Sequence, residues 1–364
     1  MTTLPQVLKT AGYTSGIFGK WHLGDEEDRQ PHNRGFDEAF IHGAGGIGQA
    51  YACSCADAPG NKYFDPTIRH NGSFVKTKGF CTDLFFTAAM GWIKEKKDGD
   101  APFFAYITTN APHGPFIAPP KNRQRFTDRG FSEKQAGFYG MIENIDENVG
   151  RLLTNLEKWK MFENTVVIFT ADNGPEKYAY ARDEKFGHWS AHPLRGLKRD
   201  IYEGGHHVPY IVKWPGITQA GQVSNALVSQ IDIMATLASA VGADLPDDAA
   251  EDSHNLLPVL KGKVDSVRTT HVHNTYENKF AIRNGDWLLI DHKDGYTSGR
   301  NKPWETRHKY PADNKSPVEL YNLNNDIGQR IDLARKQPER VAELQALLSR
   351  IRKQGYSAPR LTHQ

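Results

Sequence analysis

Hydrophobic positions recur along the chain at two spacings. In the opening segment Leu4, Val7, Leu8 and Ala11 lie three and four residues apart, the period of one helix face, and Gly12 supplies a stop. Residues 14–18 follow as a short strand and lead into Gly19-Lys20-Trp21-His22. Residues 102–109 form a continuous apolar run of strand length that ends at Asn110-Ala-Pro-His113. Met141, Ile142, Ile145, Val149, Leu152, Leu153 and Leu156 then mark one face of a long amphipathic helix. A second apolar strand, residues 165–170, ends at Asp172-Asn173-Gly174, and a third, residues 209–213, stops at Trp214-Pro215-Gly216 before a helix over 232–241. Apolar strands alternating with helices predict an α/β sheet covered on both faces.

The pattern changes after about Gly262. Residues 269–276 and 279–290 read as antiparallel strands, the latter broken by the turn signal Asn284-Gly285. Val341, Leu344, Leu347, Leu348 and Ile351 place a terminal helix. The expected organisation is a large α/β domain over 1–262 and a small α+β domain over 263–364. Residues 43–60, rich in Gly, Ala and Cys, read as a loop or insertion.

Composition narrows the class. A chain of 364 residues holds one large and one small domain at roughly 100–200 residues each. Its 38% hydrophobic and 24% charged content is that of an ordinary globular enzyme, and a net charge of +2 gives no support to a nucleic-acid partner. No stretch approaches the ~18 apolar residues of a membrane span. Met1-Thr-Thr-Leu shows neither the basic nor the apolar region of a signal peptide. Cys53 and Cys55 sit too close to pair comfortably with each other; either can pair with Cys81, and a free buried thiol is the equal alternative.

Ligand sites in open α/β sheets lie at the carboxyl ends of the strands. Those ends carry Lys20 and His22, His113, and Asp172 with Asn173; Lys198 lies in the loop Leu194-Arg-Gly-Leu-Lys198 before the third strand. Two oxygen donors for a metal, two fixed positive charges and two imidazoles suit a tetrahedral oxyanion. Each has a plainer reading: a turn for Asp-Asn-Gly, a structural histidine between prolines for His113, a solvated turn for residues 19–22, a surface lysine for Lys198. The order and placement of the set carry the inference.

That ordered set resembles the sulfatase family. Residues 4–13 with Gly16-Ile-Phe-Gly-Lys-Trp-His-Leu-Gly24 are similar to its second signature, and Asn110-Ala-Pro-His-Gly-Pro-Phe116 to its Pro-His-x-Pro-Phe segment. Residues 139–153 resemble the helix before the metal strand, Thr170-Ala-Asp-Asn-Gly174 the metal turn, and residues 194–209 the loop with the second lysine. Residues 281–290 and 319–323 are similar to its C-terminal region.

The resemblance implies an alkaline-phosphatase-like mixed sheet sandwiched by helices and hydrolysis of a sulfate ester, aryl or glycan, by a formylglycine nucleophile. It assigns Asp172 and Asn173 as two ligands of Ca²⁺, a cation that takes hard oxygen donors. Lys20 and Lys198 would hold sulfate oxygens. His113 would be the general acid for the leaving alcohol, and His22 would help deprotonate the formylglycine hydrate. Localisation stays open, the family being often exported or lysosomal.

Departures accompany the matches. The family's first signature, Cys/Ser-x-Pro-Ser/Ala-x-Arg in outline, and its pair of strand aspartates are not found; Cys53, Cys55 and Cys81 do not fit, and Ser357-Ala-Pro-Arg360 is a distant near-miss. The expectation is therefore a chain that begins after the nucleophile segment and, taken alone, is poorly stable and binds calcium weakly. His206-His207 stands where many relatives have an apolar residue and arginine. His188, Trp189 and His192 fall near the leaving group in this fold, where the tryptophan either stacks on a substrate ring or packs the loop. Two other readings compete. One is a phosphate or phosphonate ester hydrolase of the same superfamily, which usually surrounds two metals with more Asp and His ligands. The other is a binding module that keeps the fold without catalysis.

Overall fold

The computed structural model describes residues 1–49, 57–58, 60–311 and 316–359. The elements run α1 (Leu4–Thr10), β1 (Thr14–Lys20), β2 (Glu38–His42), β3 (Thr67–His70), β4 (Ser73–Lys76), α2 (Cys81–Lys96), β5 (Phe103–Thr108), α3 (Pro120–Thr127) and α4 (Glu133–Lys158). They continue with β6 (Val167–Thr170), α5 (Tyr178–Phe186), α6 (Glu203–His206), β7 (Tyr210–Lys213), α7 (Asp232–Val241), α8 (Leu257–Leu260), β8 (Thr270–Thr275), β9 (Lys279–Asn284), β10 (Trp287–Ile290), α9 (Lys302–Arg307), β11 (Glu319–Asn322) and α10 (Pro338–Gln354). Packing divides the chain into two compact units, residues 1–165 with 237–249, and residues 166–236 with 250–364.

The first unit is built on a five-stranded sheet ordered β4-β3-β2-β1-β5. The segment before it opens as its pattern predicts: the Thr3 amide donates to Gln6 Oε1 at 2.9 Å to start α1, and Gly12 ends it at φ +83°, a conformation open to glycine. β1 lies between β2 and β5 and is parallel to both, with Lys20 opposite His42 and Gly19 opposite Thr108. Its residues Ser15 to Gly19 are buried, as a strand covered on both faces must be. The hairpin β3–β4 extends the sheet antiparallel to β2.

Helix α2 packs on β1 and β5, with Phe18 against Trp92 at 5.7 Å between ring centres. Two buried amides of α4, Asn144 and Asn148, donate to Asp83 of α2 at 2.9 and 2.7 Å. Hydrogen bonds to a charged acceptor contribute about 1.5–3 kcal/mol each, so these two fix the contact between α2 and α4. Cys81, at the start of α2, is a buried free thiol; Cys53 and Cys55 lie outside the described residues, as do 50–52, 54 and 56 of the predicted loop.

The second unit holds the antiparallel pair β6–β7 and a four-stranded antiparallel sheet ordered β11-β10-β9-β8. The Asn284-Gly285 turn joins β9 to β10, with Gly285 at φ +57°. One face of this sheet packs Ile282, Leu289 and Leu320 against Leu344 and Leu348 of α10; the other packs Ala281, Leu288 and Ile290 on Tyr202, Tyr296 and Tyr321. The C-terminal sheet and terminal helix expected from the sequence are thus present. Among the described residues no helix is long and apolar enough to cross a membrane.

Candidate active site

The six residues singled out in the sequence fall three to each unit, and each trio occupies strand ends or the loop beside them. In the first unit Lys20 closes β1, where its carbonyl accepts from Thr108 Oγ1 at 2.7 Å. His22 follows at φ +50°, held because the Trp21 and His22 amides donate to the carbonyls of His42 and Gly43, both at 2.9 Å. A non-glycine residue in that region costs about 1–3 kcal/mol, so the two bonds to the end of β2 set where the imidazole points.

His113 is positioned from both sides. Its amide donates to Asn110 at 2.9 Å, its carbonyl accepts from the Tyr63 hydroxyl at 3.0 Å, and its Nδ1 lies 2.7 Å from the Gly114 carbonyl. A carbonyl accepts only, so Nδ1 carries the proton and Nε2 is the nitrogen left to exchange one. His22 and His113 each lie against one of two adjacent glycines. A Cβ on Gly45 would lie 3.0 Å from His22 Cε1, and one on Gly46 would lie 3.2 Å from His113 Nδ1. The first unit therefore brings both imidazoles against consecutive glycines at the end of the sheet that carries Lys20.

In the second unit Asp172 and Asn173 follow β6 directly. The Asn173 side chain donates through Nδ2 to the Gly174 carbonyl at 2.8 Å, which leaves Oδ1 as an acceptor. The turn is fastened to the loop bearing Lys198 by backbone bonds: Gly174 donates to Gly205 at 2.8 Å and Lys198 to Pro175 at 2.9 Å. No side chain fits between them, since a Cβ on Gly174 would fall 1.9 Å from the Gly204 carbonyl. Lys198 is half-buried with its ammonium 3.9 Å from Glu176 Oε1, a carboxylate that also takes Arg199 at 2.8 Å.

The loop is anchored three residues before Lys198. The Arg195 guanidinium donates to the hydroxyls of Tyr296 and Tyr321, both at 3.0 Å, and to the Gln329 carbonyl at 3.2 Å, and lies over the Tyr202 ring at 4.1 Å. Asp200, two residues after Lys198, accepts from the amides of Thr297 and Ser298 at 2.8 and 2.9 Å. Trp189 is taken up in packing: it is 7% exposed, donates to the Leu194 carbonyl at 2.9 Å and meets Trp304 at 4.3 Å. That resolves its two readings in favour of the loop.

Asp172 and Asn173 offer hard oxygen donors of the kind calcium takes, two of the six to eight it usually gathers. Among the described residues no group of three or more His, Cys, Asp or Glu side chains is arranged to hold a metal. Sequence reasoning missed Tyr63, Gly45 and Gly46, which position His113 and His22; the only signal was the glycine-rich stretch 43–48.

A sheet with parallel strands at β1 and the candidate side chains at its strand ends, together with a C-terminal antiparallel sheet, is the arrangement of alkaline-phosphatase-like folds. Solved structures agree. Ps i-CgsB in complex with a neocarrahexaose superposes with a TM-score of 0.77 at 23% identity, over 95% of this chain and 73% of that one. BT4656 in complex with its substrate D-glucosamine-2-N,6-O-disulfate gives a TM-score of 0.71 at 20% identity, over 97% and 82%.

The family follows from the sequence matches. The family model described as Sulfatase matches residues 1–243, and that described as N-sulphoglucosamine sulphohydrolase, C-terminal, matches residues 196–352. The chain belongs to the sulfatase family, whose members are sulfuric ester hydrolases. It is 29% identical to the N-acetylgalactosamine-6-O-sulfatase of Bacteroides thetaiotaomicron over 96% of its length and 76% of that protein's. It is 32% identical to the N-acetylgalactosamine-6-sulfatase of Sus scrofa over 91% and 64%, and 30% identical to that of Homo sapiens over 96% and 66%. The chain thus spans about two thirds of the mammalian relatives it matches.

Proposed function

We propose that this chain serves the hydrolysis of a sulfate ester on a glycan, with an N-acetylgalactosamine 6-sulfate type of ester as the first candidate. The observation that carries the reading is the His113 geometry: Nδ1 is committed to the Gly114 carbonyl at 2.7 Å, which leaves Nε2 to give a proton to a departing alcohol. The substrate class rests on the relatives, three of which are named for galactosamine 6-sulfate.

In this reading Lys20 and Lys198 contact sulfate oxygens, and their fixed charges stabilise the charge that builds up on those oxygens during transfer. His113 protonates the leaving oxygen, and His22 takes a proton from the nucleophile. Asp172 and Asn173 would be two of the ligands of a calcium ion, which when bound supplies Lewis-acid polarisation of the sulfate. A formylglycine nucleophile belongs to the same proposal by family resemblance.

The test is a substrate panel run with the protein purified from its natural source: a 6-sulfated galactosamine oligosaccharide, a small aryl sulfate and an aryl phosphate. Sulfate release that is fastest from the glycan is the expected result. Preferential phosphate release would support instead the phosphoester branch of the superfamily.

A further inference from the structure

The end of β2 buries polar atoms that have no partner among the described residues. None of the His42 side chain is exposed, and among the described residues neither of its ring nitrogens has a hydrogen-bond partner; Asp57 Oδ1 is likewise buried with no partner among them. The two groups face each other, with His42 Nδ1 at 3.9 Å from Asp57 Oδ2. Burial holds the imidazole below its ordinary pKa; Asp57 opposes this, and Lys20 and His113 reinforce it. The ring stacks on Phe85 of α2 at 5.9 Å with 23° between planes, a place a phenylalanine ring could fill without polar cost. Each unpartnered buried polar group costs about 1–3 kcal/mol, so a residue kept there against that cost calls for a function.

The neighbouring backbone supplies one. Asp57 Oδ2 accepts from the Ala44 amide at 2.9 Å and so fastens the segment 42–46. Within that segment the carbonyls of His42 and Gly43 hold Trp21 and His22, while Gly45 and Gly46 lie against the rings of His22 and His113. His42 also stands opposite Lys20 in the strand register. The segment is a bed for His22 and His113; Asp57 is bonded to it from behind through Ala44, and the His42 ring packs beside Asp57.

We propose that His42 and Asp57 are positioning residues for His22 and His113, a buried imidazole–carboxylate couple that holds the 42–46 bed at a cost in stability. The kinetic part of this proposal rests on the sulfatase reading; the structural part does not.

The test uses His42→Phe, Asp57→Asn and Asp57→Ala in the full chain, with three readouts: the thermal midpoint, the ring NMR signals of His22 and His113, and kcat and KM for sulfate release. His42→Phe is expected to keep or raise the midpoint, shift both ring signals, and lower kcat about ten- to a hundredfold with KM within about twofold. Unmoved ring signals, at whatever midpoint, would show that His42 only fills the core. Asp57→Asn keeps an oxygen for the Ala44 amide and is expected to leave the ring signals in place, whereas Asp57→Ala moves them. Equal behaviour of the two Asp57 variants overturns the anchoring. Should the unsubstituted protein release no sulfate, the sulfatase reading fails while the ring signals still decide the positioning role.

Discussion

Both units leave some buried polar atoms unmatched among the described residues, His271, His273 and Trp304 in the second and His42 and Asp57 in the first, and they differ in what surrounds those atoms. In the second unit nearly every buried charge named here is matched. Arg268 and Asp232 are both fully buried and form a two-point ion pair, and Asp232 also accepts from the amides of Ser229 and His254, both at 2.8 Å. Arg195 sits in a cage of tyrosines with Glu305 at 3.5 Å. Glu319, whose carboxyl burial pushes up to about 7, accepts from the hydroxyls of Tyr202 and Tyr321. In the first unit the end of β2 keeps His42 and Asp57 buried with atoms unmatched. Matched burial stabilises a framework, whereas unmatched burial beside candidate catalytic side chains marks a place where stability has been given up for position.

That contrast can be broken by substitution. The largest effect is expected at Arg268→Leu, which strands the Asp232 carboxylate: a loss of about 3–5 kcal/mol in denaturant unfolding. A loss under about 1 kcal/mol would mean that the second unit's charges are not the framework claimed here. Next comes Gly174→Ala. Its new methyl group would press on the Gly204 carbonyl and force the Asp172–Asn173 turn away from the Lys198 loop, with an expected cost of about 1–3 kcal/mol and a raised KM for the sulfate ester. Wild-type stability with unchanged KM would show that turn and loop need not stay in register.

The last effect expected is a pH dependence of the second unit. Burial lowers the pKa of His206, of His271 to about 4 and of His273 to about 3. Histidines whose folded pKa lies below the unfolded value of about 6.5 leave the unfolded chain binding more protons. Stability is therefore complete above pH about 6.5 and falls as the pH drops from there toward 4 and 3. His207, raised by its hydrogen bond to Glu203, acts the other way by stabilising at low pH, while Glu203 itself, lowered to about 2, adds to the acid loss. Thermal midpoints measured from pH 7 to pH 4 should fall, and His271→Phe should flatten the fall; a flat profile in the unsubstituted protein would contradict the assignment.

What could be read from the sequence followed from where polarity interrupts an apolar run. Lys20 closes its strand, and His22, His113, Asp172 and Asn173 follow shortly after strand ends, so their positions were visible before any fold was known. Strand β2 was not, because a five-residue element bounded by Glu38 and His42 shows no clean alternation. Helix α2 was missed for the reverse reason. Cys81, Thr82, Phe85, Phe86, Ala89, Met90, Trp92 and Ile93 are all buried, and so wide an apolar surface blurs the single stripe that identifies a helix. The couple of His42 and Asp57 joins a strand end to a residue 15 positions on, through a Gly-rich stretch that carries no periodicity. Only a tertiary contact reveals it.

The most direct test of the central claim is sulfate release from a 6-sulfated galactosamine oligosaccharide by the natural-source enzyme and by its His113→Gln variant. A working sulfatase with His113 as its acid should lose about 10²–10⁴ in kcat on that substitution while its thermal midpoint stays put. The loss should shrink for an aryl sulfate whose leaving group needs no proton. Equal turnover by both proteins, or release of phosphate in place of sulfate, would contradict the account.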